Sequence, residues 1–347
     1  MKRLIYTVLA CLLLAGCQEQ SRQQYYEYAG QLHTSYHIKY EYTEPLDDEI
    51  KAELDRFYHL FNVFDSTSVI SQINRNENLC VTDTTFVTLF RTAQMVAELT
   101  DGAYDVTCAP LINLWGFGFT EGDSTVTQAH IDSVKQFVGY RKIQLTDGKI
   151  VKDDPRMMLN CSSIADGTVC DMIADCFDHH GVQNYMVEFG GEIVAKGINP
   201  RGEHWRLGIN KPKDDSAGVN QTLEAIIHLY PDGLDPKMAH NNGRRGMATS
   251  GNYRNFYEKD GKRYAHTIDP REGRPVQRDV LSATIIAPTG GLADACATAC
   301  MVLGTDGAKL LKEKLPMIDY FLICGDSTGY YTVESPGFAK YKVKAGL

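Results

Sequence analysis

The sequence predicts an α+β fold, and three observations carry that expectation. Strand-like segments come in clusters with helical segments between them, without the strict strand–helix alternation of a doubly wound parallel sheet. Neither a GxGxxG turn nor a GxxxxGK[ST] loop occurs, so the usual dinucleotide and nucleotide cradles are absent. Composition is that of a globular protein, with 347 residues, 43% apolar and 23% charged, which is long enough to bury a large core.

The elements follow in order. Gln31 to Tyr42 alternates loosely and reads as a strand. Glu44-Pro45-Leu46-Asp47 opens a helix through about Phe61, with Leu46, Ile50, Leu54 and Tyr58 at four-residue steps. Phe86 to Leu99 is a second helix, stopped by Thr100-Asp101-Gly102. Ile164 to His180 is a third, closed by Gly181. Tyr185 to Phe189, Gly190-Gly191 and Ile193 to Ala195 read as a hairpin. Arg206 to Ile209, Glu224 to Tyr230 and Leu281 to Ala287 are further strands, and Leu292 to Leu303 and Gly307 to Leu315 are two more helices.

Ahead of these lies a leader. Met1-Lys2-Arg3 is basic, and Leu4 to Ala15 is apolar but too short to span a bilayer comfortably. The run ends in Leu14-Ala15-Gly16-Cys17, which resembles a bacterial lipobox. Residues 1–16 are therefore expected to be a lipoprotein signal peptide and Cys17 the acylated N-terminus, with a plain secretory signal as the alternative. Residues 17–30, polar and rich in Gln and Tyr, read as a tether, and residues 31–347 as the catalytic body. The expected location is the cell envelope, on a membrane and facing the periplasm or exterior. Eight cysteines remain beyond Cys11 and Cys17, none in a CxxC pair, and they are expected as core thiols, with a disulfide of unassigned partners as the alternative.

A net charge of −9 argues against nucleic acid as a partner, since such a partner needs a basic face. An anionic substrate would instead need a metal ion or backbone donors. The pair Asp294 and Thr298 meets that need. Four residues apart on a helix, both oxygens project from one face and make a hard, oxygen-only set suited to Mg²⁺ or Ca²⁺. The same pair can also serve as helix-start capping and a hydroxyl bonded to the preceding turn. Asn160-Cys161-Ser162-Ser163 leads into a helix whose N-terminus can meet phosphate, or whose serines can simply cap it. Tyr104, Trp115 and Phe117 can wall a flat aromatic ligand or pack in a core. His266, ahead of a turn, is a candidate base or an ordinary surface residue.

Five stretches, in this order, resemble the family of FAD:protein FMN transferases, the ApbE-type flavin transferases. They are GAYDVTCAPLINLWGFG (102–118), NCSSIADGTVCD (160–171), VEFGGEIVAKG (187–197), TSGNY (249–253), and the segment 266–304 with HTIDPREGRPV and ADACAT. The resemblance implies mixed sheets with packed helices and an FAD site in a cleft between two lobes. It implies that FAD is cleaved with Mg²⁺, AMP is released, and FMN is joined to a threonine hydroxyl of an exported acceptor protein.

By position, the resemblance makes Asp294 and Thr298 metal ligands, with further oxygen from Ser163 and Ala165. Thr34, Ser66, Ala103, Tyr104, Asp105, Asn160, Asp166 and Ile268 would bind FAD, and His266 or Asp294 would act as base. An FAD pyrophosphatase and a non-catalytic FAD-binding lipoprotein are the competing readings. Two departures stand out. The family's Ala-Lys-Gly is Ala165-Asp166-Gly167 here, which replaces a cation with an anion. The early Ser-Thr-Tyr motif is shortened to Ser66 through Asn74 and lacks the tyrosine that stacks near the flavin. A last segment, Asp279 to Thr284, loosely resembles the acceptor motif itself but reads as a core strand.

Overall fold

A computed structural model describes residues 23–118, 125–211, 223–230, 243–252, 256–259, 262–326 and 329–343. The strands among them are β1 (Gln24–Gln31), β2 (Ser35–Tyr42), β3 (Ile143–Thr146), β4 (Lys149–Lys152), β5 (Tyr185–Phe189), β6 (Glu192–Lys196), β7 (Arg206–Asn210), β8 (Leu223–His228), β9 (Arg245–Gly251), β10 (Phe256–Lys259), β11 (Lys262–Ala265), β12 (Ile268–Asp269), β13 (Arg274–Pro275), β14 (Val280–Ala287), β15 (Asp319–Asp326) and β16 (Gly329–Glu334). The helices are α1 (Asp47–Phe61), α2 (Val69–Asn74), α3 (Thr84–Leu99), α4 (Ala109–Leu114), α5 (Gln128–Lys135), α6 (Ser162–His179) and α7 (Gly290–Lys314).

Eight strands form one sheet in the order β1-β2-β5-β6-β9-β14-β15-β16, and every neighbouring pair is antiparallel. This is the α+β arrangement expected from clustered strands. Its faces divide the core by the two-residue alternation of a pleated strand. Tyr185, Val187 and Phe189 of β5 and Ala283, Ile285 and Ala287 of β14 point to a main core shared with α1, α3, α6 and α7. Ile193, Ile286, Phe321 and Ile323 point the other way, onto Trp205, Leu207 and Ile227 of the β7–β8 hairpin and onto Phe338. A third, small cluster joins Cys108, Leu111, Val138 and Ile268, with Trp115 packed against it.

One expectation is revised. The tether does not extend to residue 30: Gln24–Gln31 is the edge strand β1, paired residue for residue with β2. Its tyrosines account for this, since Tyr26 stacks on Tyr40 and Tyr28 on Tyr36, so a segment that is polar in composition still covers the sheet. The helices expected at 292–303 and 307–315 are both present: within α7 two helical stretches meet at a kink at Gly304, where φ is 75° and the backbone is not helical. The turn Thr100-Asp101-Gly102 ends α3 as expected, through left-handed φ values at Asp101 and Gly102. All eight cysteines beyond the leader are free thiols, and only Cys80 is exposed. Residues 1–22, with the leader and Cys17, lie outside the described residues, among which no helix is long and apolar enough to cross a membrane.

Candidate functional site

The site is built where α6 and α7 touch. A Cβ on Gly167 would overlap the carbonyl of Gly290, and a Cβ on Gly290 would overlap the carbonyl of Gly167. Two glycines therefore let the helix backbones meet directly. This contact seats Asp294, one turn beyond Gly290, against α6, where its carboxylate accepts the Gly167 amide at 3.2 Å. Asp294 is only 6% exposed. Burial drives its carboxyl well above the usual carboxylate range, and the nearby charges of Glu192 and Asp166 push the same way.

Asp294 does not cap its helix. The first turn of α7 is capped by the Thr289 hydroxyl, which accepts from Leu292 N at 3.2 Å, and by Asp171, whose oxygens take the Gly290 and Gly291 amides at 2.9 Å each. Thr298, one turn on from Asp294, places its hydroxyl 3.2 Å from that of Ser250. Asp294, Thr298, Ser250 and Ser163 all line one cleft of about 740 Å³. That volume is of the size that holds a small-molecule cofactor.

The opposite wall is made of loops. Val63 and Phe64 come from the turn after α1, Phe117 and Gly118 from the turn after α4, and His266, Thr267 and Ile268 from the approach to the β12–β13 hairpin. That hairpin is held to the α4 turn by Trp115, whose indole N–H donates to Gly273 O at 2.9 Å. The cleft thus separates the main sheet-and-helix body from the small cluster around Leu111 and Ile268.

Of the residues singled out from the sequence, Ala103, Asp105, Asn160, Ser163, Asp166, His266, Ile268, Asp294 and Thr298 line this cleft. Thr34 stands at its edge, where its side chain meets Gly190 alongside Asp166 and Glu192. Ser66 does not line it: it is exposed on the turn at residues 62–68, whose helix-capping serine is Ser68. Tyr104 is buried behind the wall, where its oxygen accepts from the Ser163 hydroxyl at 3.2 Å and burial raises its phenol well above its ordinary value. Ala165 lies within α6, behind the lining residues Ser163 and Asp166.

Two further side chains are occupied within the protein. Both Asp105 oxygens are engaged, one by the Thr107 amide and hydroxyl and the other by the Tyr140 amide at 2.7 Å. The Asn160 carbonyl takes the Ser162 amide and hydroxyl, so Asn160, and neither serine, satisfies the start of α6. Thr284 of the acceptor-like segment is fully buried in β14 and bonded to Thr249, so it is not presented for modification.

Sequence reasoning passed over Glu192 and Phe64. Glu192 faces the cleft from the glycine turn of the β5–β6 hairpin, where Gly190 and Gly191 have φ of 69° and 107°. The signal was an acid directly after two glycines. Phe64 is 79% exposed at the cleft mouth, and its signal was one aromatic residue directly ahead of the polar run Asp65 to Ser68.

The donor set fits a hard divalent cation. Asp294 is a buried carboxylate with two further acids, Glu192 and Asp166, nearby, and the hydroxyls of Thr298, Ser250 and Ser163 share its cleft. Among the described residues no three His, Cys, Asp or Glu side chains cluster tightly enough to hold a metal by themselves. Mg²⁺ commonly completes such a sparse shell with water and substrate phosphate.

Comparison with known proteins gives one answer at every level. The profile of the ApbE family matches residues 32–322. An FAD:protein FMN transferase of Vibrio cholerae is 32% identical over 354 residues, covering 99% of this chain and 100% of the relative. One from Haemophilus influenzae is 34% identical over 359 residues, covering 98% of each. Among solved structures, the flavin transferase ApbE from Vibrio cholerae superposes with a TM-score of 0.77 at 30% identity, over 92% of this chain and 100% of that one. The apo flavinyl transferase ApbE of Pseudomonas stutzeri gives 0.76 at 28% identity, over 93% and 98%.

Proposed function

Because the chain belongs to the ApbE family, we propose that it is an FAD:protein FMN transferase whose reaction takes place in the cleft around Asp294. In this reading a threonine hydroxyl of an acceptor protein attacks the FMN-side phosphorus of FAD. The new O–P bond forms as the bond to the AMP oxygen breaks, AMP leaves, and the threonine proton passes to a base. Bound Mg²⁺ would neutralise the charge that develops on the diphosphate oxygens.

The observation that carries this reading is Asp294 itself, a buried carboxylate fixed by a helix–helix contact and opening onto a cleft that the hydroxyls of Thr298, Ser250 and Ser163 also line. Asp294 and Thr298 would hold the cation, and Ser163 adds a hydroxyl from the first turn of α6. With Asp294 committed to the cation, His266, which lines the same cleft, would take the threonine proton. Ala103 and Ile268 offer apolar surface to the flavin, and Phe64 at the mouth offers an aromatic face. The leader fits export with a lipid anchor at Cys17, and such an anchor would hold the cleft outside the cytoplasm on a membrane; Cys17→Ser should release the protein from the membrane fraction.

The test incubates the purified full chain with FAD, Mg²⁺ and an acceptor domain bearing an Asp-Gly-x-x-x-Ala-Thr segment, and reads the acceptor's intact mass. One added FMN, lost with EDTA and with Asp294→Ala, is the expected result. Free FMN and AMP with an unmodified acceptor would make the protein a pyrophosphatase, and intact bound FAD would make it a carrier.

A further inference from the structure

Asp171 lies outside the cleft lining, on the far side of the α6–α7 contact, and nothing in the reaction calls for it. Its two oxygens nevertheless accept the Gly290 and Gly291 amides, the first two of α7, at 2.9 Å each. Those amides have no partner inside their own helix. The helices run antiparallel here: as α6 advances from Gly167 to Asp171, α7 recedes from Asp294 to Gly290. One turn of each helix is therefore pinned at both ends, by Asp171 to the Gly290 and Gly291 amides and by Asp294 to the Gly167 amide. The glycine contact between Gly167 and Gly290 leaves no slack in the middle.

We infer that Asp171 is a positioning residue for Asp294: by clamping the first turn of α7 it sets where the Asp294 carboxylate meets Gly167 and faces the cleft. Arg244 backs the clamp. Its guanidinium, only 7% exposed, lies 3.9 Å from Asp171 and 2.5 Å from Asp175, with Asp178 at 3.5 Å. The carboxylate is thus oriented from behind by a cation and in front by two amides, as outer partners orient the ligands of metal sites. For metal affinity the inference rests on Asp294 being a cation ligand; for helix placement it does not.

The test compares wild type with Asp171→Asn, whose amide can accept at one oxygen only, and with Asp171→Glu, which keeps both oxygens. The first readout is amide exchange at Gly167, referred to Ile285 in the middle of β14. Asp171→Asn is expected to speed exchange at Gly167 about tenfold relative to Ile285, with partial recovery in Asp171→Glu. The second readout is Mn²⁺ binding by the FAD-loaded protein, followed through the free Mn²⁺ resonance. Affinity should fall about 10–100-fold in Asp171→Asn, while FAD affinity in metal-free buffer stays within about twofold.

Unchanged exchange at Gly167, or an equal rise at Gly167 and Ile285, would overturn the inference, because a merely structural Asp171 loosens both together. Unchanged Mn²⁺ affinity beside faster Gly167 exchange would overturn its extension to the metal. If wild type binds no Mn²⁺, the metal reading of Asp294 falls while the exchange ratio still decides the positioning. Should Asp171→Asn not fold, the same ratio in Asp171→Glu decides.

Discussion

The two walls of the cleft are built by opposite means. The helix wall presents few polar atoms, each placed by main-chain contact: Gly167 against Gly290, Asp171 under Gly290 and Gly291, Asp294 on Gly167. The loop wall presents Phe64, Phe117 and His266 from turns, and its reference points are single side-chain bonds such as Trp115 to Gly273. A wall made of helix backbones cannot shift one residue without shifting a turn, so it suits groups that must be held to a fraction of an ångström. A wall of turns can yield to a bulky ring and close on it. On this comparison, changes to the backbone contacts of the helix wall should damage chemistry and stability together, removal of the Asp294 charge should damage chemistry alone, and changes in the loop wall other than at His266 should alter ligand affinity alone.

The largest effect is expected at Asp294. Asp294→Asn keeps the shape and the bond to Gly167 but removes the charge, and transfer of FMN to the acceptor should fall by about 10²–10³-fold. Because the buried carboxylate is itself costly without a cation, metal-free Asp294→Asn should melt no lower than metal-free wild type. A variant that kept activity would shift the catalytic charge to Glu192 or Asp166, the two other acids near this end of the cleft.

Next comes the pH dependence that Asp171 imposes on the helix wall. Burial raises its carboxyl to about 6, although the neighbouring Arg244 charge and the Gly290 and Gly291 amides oppose that rise and Asp175 reinforces it. A carboxyl raised on folding holds its proton longer in the folded chain than in the unfolded one. Its contribution to stability is therefore full below about pH 4 and is lost as the pH rises through 6, by about 3 kcal/mol. Urea denaturation at pH 4.5 and pH 7 should show this slope in wild type, and in Asp171→Asn the slope should shrink by that amount, leaving the part that the buried Asp294 carboxyl contributes in the same direction. An unaltered slope in the variant would assign the dependence to another group.

The glycine contact ranks third. Gly167→Ala places a methyl against the Gly290 carbonyl and the Asp294 side chain, and neither backbone can retreat without moving a whole turn. A loss of about 1–3 kcal/mol is expected by thermal melting, accompanied by weaker metal binding. At Gly181, just past the end of α6, nothing lies near the added methyl, and an alanine there costs only the strain of its φ of 77°. Metal binding should then be untouched, and that separation of stability from metal binding is what would sharpen the contrast.

The same division explains what could be read from the sequence. Apolar periodicity reports burial, so α1, α3, α6, the β5–β6 hairpin and β14 lay close to their expected bounds. Asp294 and Thr298 were legible because a helix converts a four-residue spacing into a shared face. β1 was misjudged because its tyrosines make a covering strand look like a polar tail. Asp171 and Glu192 stood inside recognised stretches yet showed no role, because their partners are backbone amides and distant acids that only the fold brings near. Ser66 is the opposite case: its residue type matched the motif, but it lies exposed on the turn at residues 62–68 and does not line the cleft.

Phe64 carries the smallest expected effect and the sharpest test of the loop wall. It occupies the turn where the resemblance led us to expect a tyrosine stacked near the flavin that this sequence lacks, two residues before Ser66, and it is 79% exposed while lining the cleft. If its ring takes over the contact with the flavin, Phe64→Ala should weaken FAD binding by about 2–10-fold, the worth of one aromatic pair. Phe64→Tyr should restore it. Because so exposed a side chain contributes little to folding, the melting temperature should not move. Fluorescence titration of FAD into the metal-free protein separates this from any effect at Asp294. Equal FAD affinity in the alanine variant would leave the loop wall without its aromatic face and move the flavin contact to Phe117, across the same opening.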